Sequence, residues 1–255
     1  MKCAYLSVLV TKNNLSLALL FLCSLSLTHC KVNTSGAGGN AEAISVLMVG
    51  GGSSHDFDRW YKEADGATLR ENGLSKVKYT DRTDSIAHYL PGVDVLYLAN
   101  NQPISDPSVR KAIFDFVAAG NGLLLAHPAL WYNWSDWPEY NLQLVSGGSR
   151  AHDRYGAFQV TVTEPDHAIT KNVPSTFTLK DELYHFKADA SGPGMTVLAY
   201  GSVPDSETRY PSVFVVNRSP GRIAGIALGH DGESHNLPAY KDLLRNAVRW
   251  AAGKR

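Results

Sequence analysis

The sequence predicts an α/β protein built on a doubly wound, mostly parallel sheet that carries an irregular β-rich insertion. Three observations lead there. Apolar runs such as ISVLMVGGG (44–52) and GLLLAHP (122–128) are continuous rather than alternating, as in strands covered on both faces. A strongly amphipathic stretch with helix boundaries at both ends lies between them, and strands alternating with helices imply right-handed crossovers. The middle of the chain then loses this rhythm and becomes rich in short, polar, strand-like pieces.

In chain order, 44–52 is the first buried strand, ending in glycines that suit a tight turn. Residues 58–72 read as the first crossover helix, with Gly66 as a weak point. KVKYTD (76–81) and VDVLYLANN (93–101) are the next strands. In DPSVRKAIFDFVAAG, Asp106 can cap and Pro107 fits the first helical position. Val109, Ala112, Ile113, Phe116 and Val117 then share one face, and Gly120 stops the helix. The strand 122–128 follows. FQVTVTE (158–164) alternates as a half-exposed strand and opens the insertion, which runs to about Gly201. PSVFVVN (211–217) and GRIAGIALGH (221–230) are strands joined by a turn at Pro220-Gly221. The stretch 238–252 places Tyr240, Leu244, Ala247, Val248 and Ala251 on one helical face.

The N-terminal 30 residues read as a signal peptide. Lys2 and Lys12 are their only charges, and the apolar run LSLALLFLCSLSL (15–27) matches a leader core in length. It ends in Leu27-Thr28-His29-Cys30, which resembles a bacterial lipobox with His29 in the place of the usual small residue. Export to the periplasm or envelope is expected, with lipidation at Cys30 as the only membrane attachment. Residues 31–43 are small, polar and Gly-rich, a flexible tether. The folded domain spans 44–253.

Composition narrows the chemistry. The chain's three cysteines, Cys3, Cys23 and Cys30, all lie in the leader, so the domain has no disulfide, no thiolate metal site and no cysteine nucleophile. The 24 basic residues match 24 acidic ones and form no basic run or stripe, which leaves nucleic-acid binding without an electrostatic footprint.

In open parallel sheets, ligands bind outside the carboxyl ends of the strands. Several predicted strands end in polar groups: the first leads through GGGSS to His55-Asp56, the third ends in Asn100-Asn101, the fourth in His127, and a late one in Gly229-His230-Asp231. Two further stretches can join that rim. SGGSRAHDRY carries His152, beside glycines (Gly147, Gly148) that would let backbone approach a ligand. DELYH (181–185) carries Asp181, Glu182 and His185; on a strand Glu182 and His185 point to opposite faces, on a helix to one. Alternatively, Asp181-Glu182 is a solvated turn. Imidazole with carboxylate suits Zn²⁺, Mn²⁺ or Fe²⁺, but no compact metal motif is present, so a site would draw on distant loops. His88, His167 and His235 have no such placement and read as structural or surface residues. The loop after His127 crowds Trp131, Tyr132, Trp134, Trp137 and Tyr140 together, and one or more of these rings can plug the loop onto the core.

GNGLLLAH (120–127), DWPEY, SGGSRAH, EPDHAI, DELYH and GRIAGIALGH together resemble the ThuA-like (trehalose utilisation) family, over about Ile44 to Ala252. The resemblance implies a fold similar to flavodoxin and the class I glutamine amidotransferases. Pro128 departs from it, standing where a serine is common. The amidotransferases present a nucleophilic cysteine on the turn that here carries His127. Without a nucleophile, His230 and Glu233 cannot run glutaminase chemistry.

What the resemblance implies instead is sugar chemistry by way of 3-keto derivatives. The expected function is a carbohydrate lyase or hydrolase on glycosides or their 3-keto forms. His127, His152, Glu182 and His230 serve as metal ligands or acid/base groups, and His55, Asn101, Trp131, Trp134 and Trp137 contact substrate. A non-catalytic carbohydrate-binding envelope lipoprotein is the alternative. Ordinary glycoside hydrolysis needs two placed carboxylates, for which Glu182, Asp181, Asp56 and Asp136 are the available groups.

Overall fold

The computed structural model describes residues 42–131 and 135–254. Nine strands form one sheet in the order β2-β1-β3-β4-β11-β10-β9-β6-β7. The first five in that order, β2 (Ser75–Thr80), β1 (Ile44–Val49), β3 (Val95–Leu98), β4 (Gly122–Ala126) and β11 (Arg222–Ile226), are parallel. The remaining four, β10 (Tyr210–Val216), β9 (Met195–Ser202), β6 (Gly156–Val162) and β7 (Thr176–Asp181), extend the same sheet antiparallel. The irregular middle of the chain is therefore an edge of the main sheet. Among the described residues, only β5 (Gly147–His152) and β8 (Tyr184–Ala188) leave it, as a separate antiparallel ribbon.

The continuous apolar runs have the predicted cause. Alternate residues of each central strand feed two cores, one on each face. Val46, Met48, Val95, Tyr97, Leu124 and Ile226 pack with Tyr240, Leu244, Ala247 and Val248 of α6 (Pro238–Ala251). Leu47, Val49, Leu96, Leu98, Leu123 and Leu125 pack with Val109, Ile113, Phe116 and Val117 of α3 (Pro107–Ala118). The α3 boundary is as read from the sequence: the Asp106 carboxylate accepts the Ser108 amide and Pro107 opens the helix.

The first crossover departs from a plain helix. Asp58–Asp65 is wound as a π-helix before one α-helical turn, α1 (Gly66–Arg70), so the weak point at Gly66 is the junction of the two windings. The π-winding carries Tyr61 and Asp65 into the core beneath the site. α2 (Ile86–Tyr89) is a single turn.

Candidate active site at the carboxyl rim of the sheet

β1, β3, β4 and β11 are parallel neighbours, so their carboxyl ends share one rim. At β4 the chain passes from Ala126 straight into the short helix α4 (His127–Trp131), with Pro128 as its second residue. His127 is thereby turned inward and is fully buried, its ring stacked on Tyr184 at 4.0 Å. Its Nδ1 donates to the Ala227 carbonyl at 2.9 Å, which leaves Nε2 to face Glu182. After β1, the glycine turn brings His55 to the same point. The turn is held by Asn101, whose amide oxygen accepts the Ser53 N–H at 2.8 Å and whose amide nitrogen donates to the Ser53 carbonyl at 3.0 Å. Gly52 has φ +132°, and a Cβ there would lie 1.8 Å from the Asn101 side-chain oxygen, so no larger residue fits. His55 Nδ1 in turn donates to the Ser53 carbonyl at 3.1 Å.

One ring nitrogen from each of His55, His127 and His230 lies within 4.8 Å of the other two. The His55 Nε2, His127 Nε2 and His230 Nδ1 atoms are buried and make no hydrogen bond. Glu182 closes the group from the turn between β7 and β8, its Oε2 3.5 Å from His127 Nε2 and 3.3 Å from His230 Nδ1. Burial alone would raise the Glu182 carboxyl; the His127 and His230 imidazoles outweigh it and hold the group well below the usual carboxylate range. The Glu182 carboxylate likewise raises His230 against its partial burial. His55 is lowered to about 3, by burial first and by His127 second, and stays a neutral donor. Three buried imidazole nitrogens without hydrogen-bond partners, beside one partly exposed carboxylate, fit a borderline divalent cation.

A family model described as ThuA, trehalose utilisation, matches residues 45–251. The chain belongs to the ThuA family. Among solved structures it is similar to a ThuA-like protein from Parabacteroides merdae, at 19% identity and TM-score 0.72 over 83% of this chain and 91% of that one. A ThuA-like protein from Bacteroides uniformis is similar at 19% identity and TM-score 0.68, over 83% and 93%. The glutaminase domain of Trypanosoma brucei CTPS shares the fold at 9% identity and TM-score 0.54, over 84% and 95%. No curated protein matches the sequence.

The other expected site residues of this ThuA-family chain divide sharply. His152 stands at the edge of the group, Nδ1 3.8 Å from Glu182 Oε1 and 2.7 Å from the carbonyl of Asp153, with a third of its side chain exposed. Trp131 is half-buried against His152 and Tyr184, with ring centroids at 5.1 and 5.4 Å. Trp137 is not a rim residue: it is 3% exposed and packs on Phe114 and Tyr140. Asn101 is engaged in holding the His55 turn rather than presented to a ligand. Trp134, Tyr132 and Cys30 lie outside the described residues. Gly147 closely approaches backbone rather than a ligand, since a Cβ there would meet the Lys187 carbonyl at 2.2 Å. His185 leaves the group: it lies on β8 while Glu182 lies in the turn before it, and it pairs with Asp153 at 3.0 Å and stacks on Tyr210.

Two further residues support the rim, of which the sequence offered Asp181 and missed Tyr155. Asp181 is fully buried, not part of a solvated turn. Its carboxylate accepts the Glu182 amide at 2.7 Å, the Gly229 amide at 2.8 Å, the His230 amide at 3.3 Å and the Ser234 hydroxyl. Tyr155 is the one exposed large apolar side chain among the described residues, and its ring lies 5.5 Å from that of His230. Nothing in SRAHDRYG marks either its exposure or its neighbour.

Proposed function

We propose that this chain is a metal-assisted enzyme acting on glycosides oxidised to the 3-keto form. The observation that carries the reading is the convergence of the unpartnered nitrogens of His55, His127 and His230 on the Glu182 carboxylate. His55, His127, His230 and Glu182 would hold Zn²⁺, Mn²⁺ or Fe²⁺, and such an ion supplies stabilisation of negative charge developing on substrate oxygens. The remaining groups bind substrate and move protons. His152 donates through Nδ1 to the Asp153 carbonyl, so its Nε2 is the basic nitrogen, and its partial exposure lets it exchange protons with solvent.

A 3-keto group acidifies the proton on C2. His152 Nε2 takes that proton, and the C2–H electron pair becomes the enediolate C2–C3 double bond. Collapse of that charge restores the C3 carbonyl, forms a C1–C2 double bond and expels the C1 substituent. The departing oxygen recovers a proton from the His152 imidazolium, which returns the base to its starting state. No oxocarbenium-like step is needed, and no second carboxylate. This agrees with the surroundings: Asp181 is occupied by four donors, Asp56 accepts the Arg59 amide, and Asp136 pairs with Arg110. Trp131 and Tyr155 offer ring surface for the sugar's C–H faces. Export through the N-terminal leader, with a lipid at Cys30, would set this chemistry in the cell envelope.

The test is metal analysis of the purified protein together with incubation against paired 3-keto and unoxidised glycosides. Bound metal and turnover of the 3-keto member only are expected, both lost in His127→Ala, Glu182→Ala and His230→Ala. Groups acting as one unit are non-additive, so double variants should be little worse than singles. Full activity in His127→Ala would remove this site. Tight sugar binding with neither metal nor turnover would point to a carbohydrate-binding protein instead.

A further inference from the structure

Beneath the rim lies a second set of ionisable groups that the proposed chemistry does not use. His235, in the short helix α5 (Gly232–His235), and Asp65 of the first crossover are both fully buried. His235 Nδ1 lies 2.7 Å from Asp65 Oδ1, and its Nε2 lies 3.0 Å from the Gly229 carbonyl oxygen. With Asp65 as a carboxylate, both partners are acceptors, so each ring nitrogen donates and the pair is carboxylate and imidazolium. Burial opposes that charge, but Asp65 outweighs it and raises His235. The second Asp65 oxygen accepts the hydroxyls of Tyr97 at 2.7 Å and Tyr240 at 3.1 Å, so the buried carboxylate is satisfied as well.

A buried ion pair of this kind is a poor choice for stability alone, because well-packed apolar residues of similar volume do as well or better. What it supplies is direction, and the Gly229 carbonyl is where it is aimed. The Tyr61 hydroxyl donates to the same oxygen at 2.5 Å. From the opposite side the Asp181 carboxylate accepts the amides of Gly229 and His230. The Gly229–His230 segment is thus gripped at its carbonyl by an imidazolium and a phenol, and at its amides by a carboxylate. Gly229 has φ +121°, a backbone conformation that few residues hold unaided.

We infer that His235 and Tyr61 are positioning residues for His230, fixing the Gly229 carbonyl so that the imidazole at the next position faces His55, His127 and Glu182. Its consequence for metal affinity rests on the metal reading given above; the clamp itself does not. Tyr61→Phe removes one hydroxyl without changing volume, and His235→Gln removes the charge. Tyr97→Phe removes a hydroxyl from the same network, but one bonded to Asp65 rather than to Gly229.

Two measurements on the full-length protein decide it: amide hydrogen exchange across residues 227–231 without metal, and Co²⁺ affinity followed by its visible absorption. Tyr61→Phe and His235→Gln should speed exchange at the Gly229 and His230 amides and weaken Co²⁺ binding by about 10- to 100-fold, the scale seen when groups that orient ligands are lost. Tyr97→Phe should lower the melting temperature and leave both readouts near wild type. Should His235→Gln fail to fold, Tyr61→Phe carries the test. Unchanged exchange and unchanged Co²⁺ affinity in folded Tyr61→Phe would overturn the inference, as would equal effects from Tyr97→Phe. Wild-type protein that takes up no Co²⁺ would overturn the metal reading, and exchange would still judge the clamp.

Discussion

Glu182 Oε2 stands 3.3 Å from His230 Nδ1, and each group moves the other's proton affinity, Glu182 downward and His230 upward. The depressed carboxyl contributes stability above its ordinary 4.5, lost as pH falls through its folded value. The raised imidazole contributes below its ordinary 6.5, lost as pH rises through its folded value. The pair's contribution is therefore complete between about 4.5 and 6.5. Denaturant titrations of metal-free protein across pH should show this window, and Glu182→Gln should flatten it. A cation must displace the His230 proton, so metal affinity should rise with pH above 6.5; affinity that falls there would contradict the assignment.

His55 shows the opposite sign. With its ring lowered to about 3 from 6.5, the unfolded chain binds a proton in this interval that the folded one refuses. Stability of the metal-free protein should fall as pH drops from 6.5 toward 3, and His55→Gln should lessen that slope. An identical slope in the variant would show that other groups set it.

Trp137→Ala should cost about 3–5 kcal/mol of stability, the range for removing a large buried ring, because Trp137 is 3% exposed between Phe114 and Tyr140. Thermal melting reads the loss directly. A variant that melts like wild type yet binds sugar weakly would place this ring at the rim after all.

Tyr155→Ala should do the reverse. The side chain is 38% exposed beside His230, so little core is lost. Affinity for a glycoside ligand should weaken by roughly 1–3 kcal/mol, the scale of one lost apolar contact, with a nearly unchanged melting temperature. Calorimetry with a non-turned-over glycoside checks it.

Activity should resist thiol alkylation, since all cysteines lie at positions 3, 23 and 30. Envelope fractionation should carry a lipid label that Cys30→Ala abolishes. An unlabelled protein in the soluble fraction would remove the lipobox reading.

Much of the fold was legible because periodicity and helix boundaries are local. The unbroken apolar runs at 44–49 and 122–126 declare strands covered on both faces, and Asp106-Pro107 declares where α3 begins. Parallel strands then bring their carboxyl ends to one rim, so His55, His127 and His230 could be gathered without knowing strand order. Side-chain direction in the connecting segments is not local. Whether Glu182 or His185 enters the site depends on the turn between β7 and β8. Whether Trp137 meets ligand or core depends on Phe114, which α3 sets against its ring. Asp65 and His235 are far apart in sequence and neither follows an apolar strand run. Only the packed structure brings them together, because a buried charge is tolerated only where a second chain segment supplies its partner.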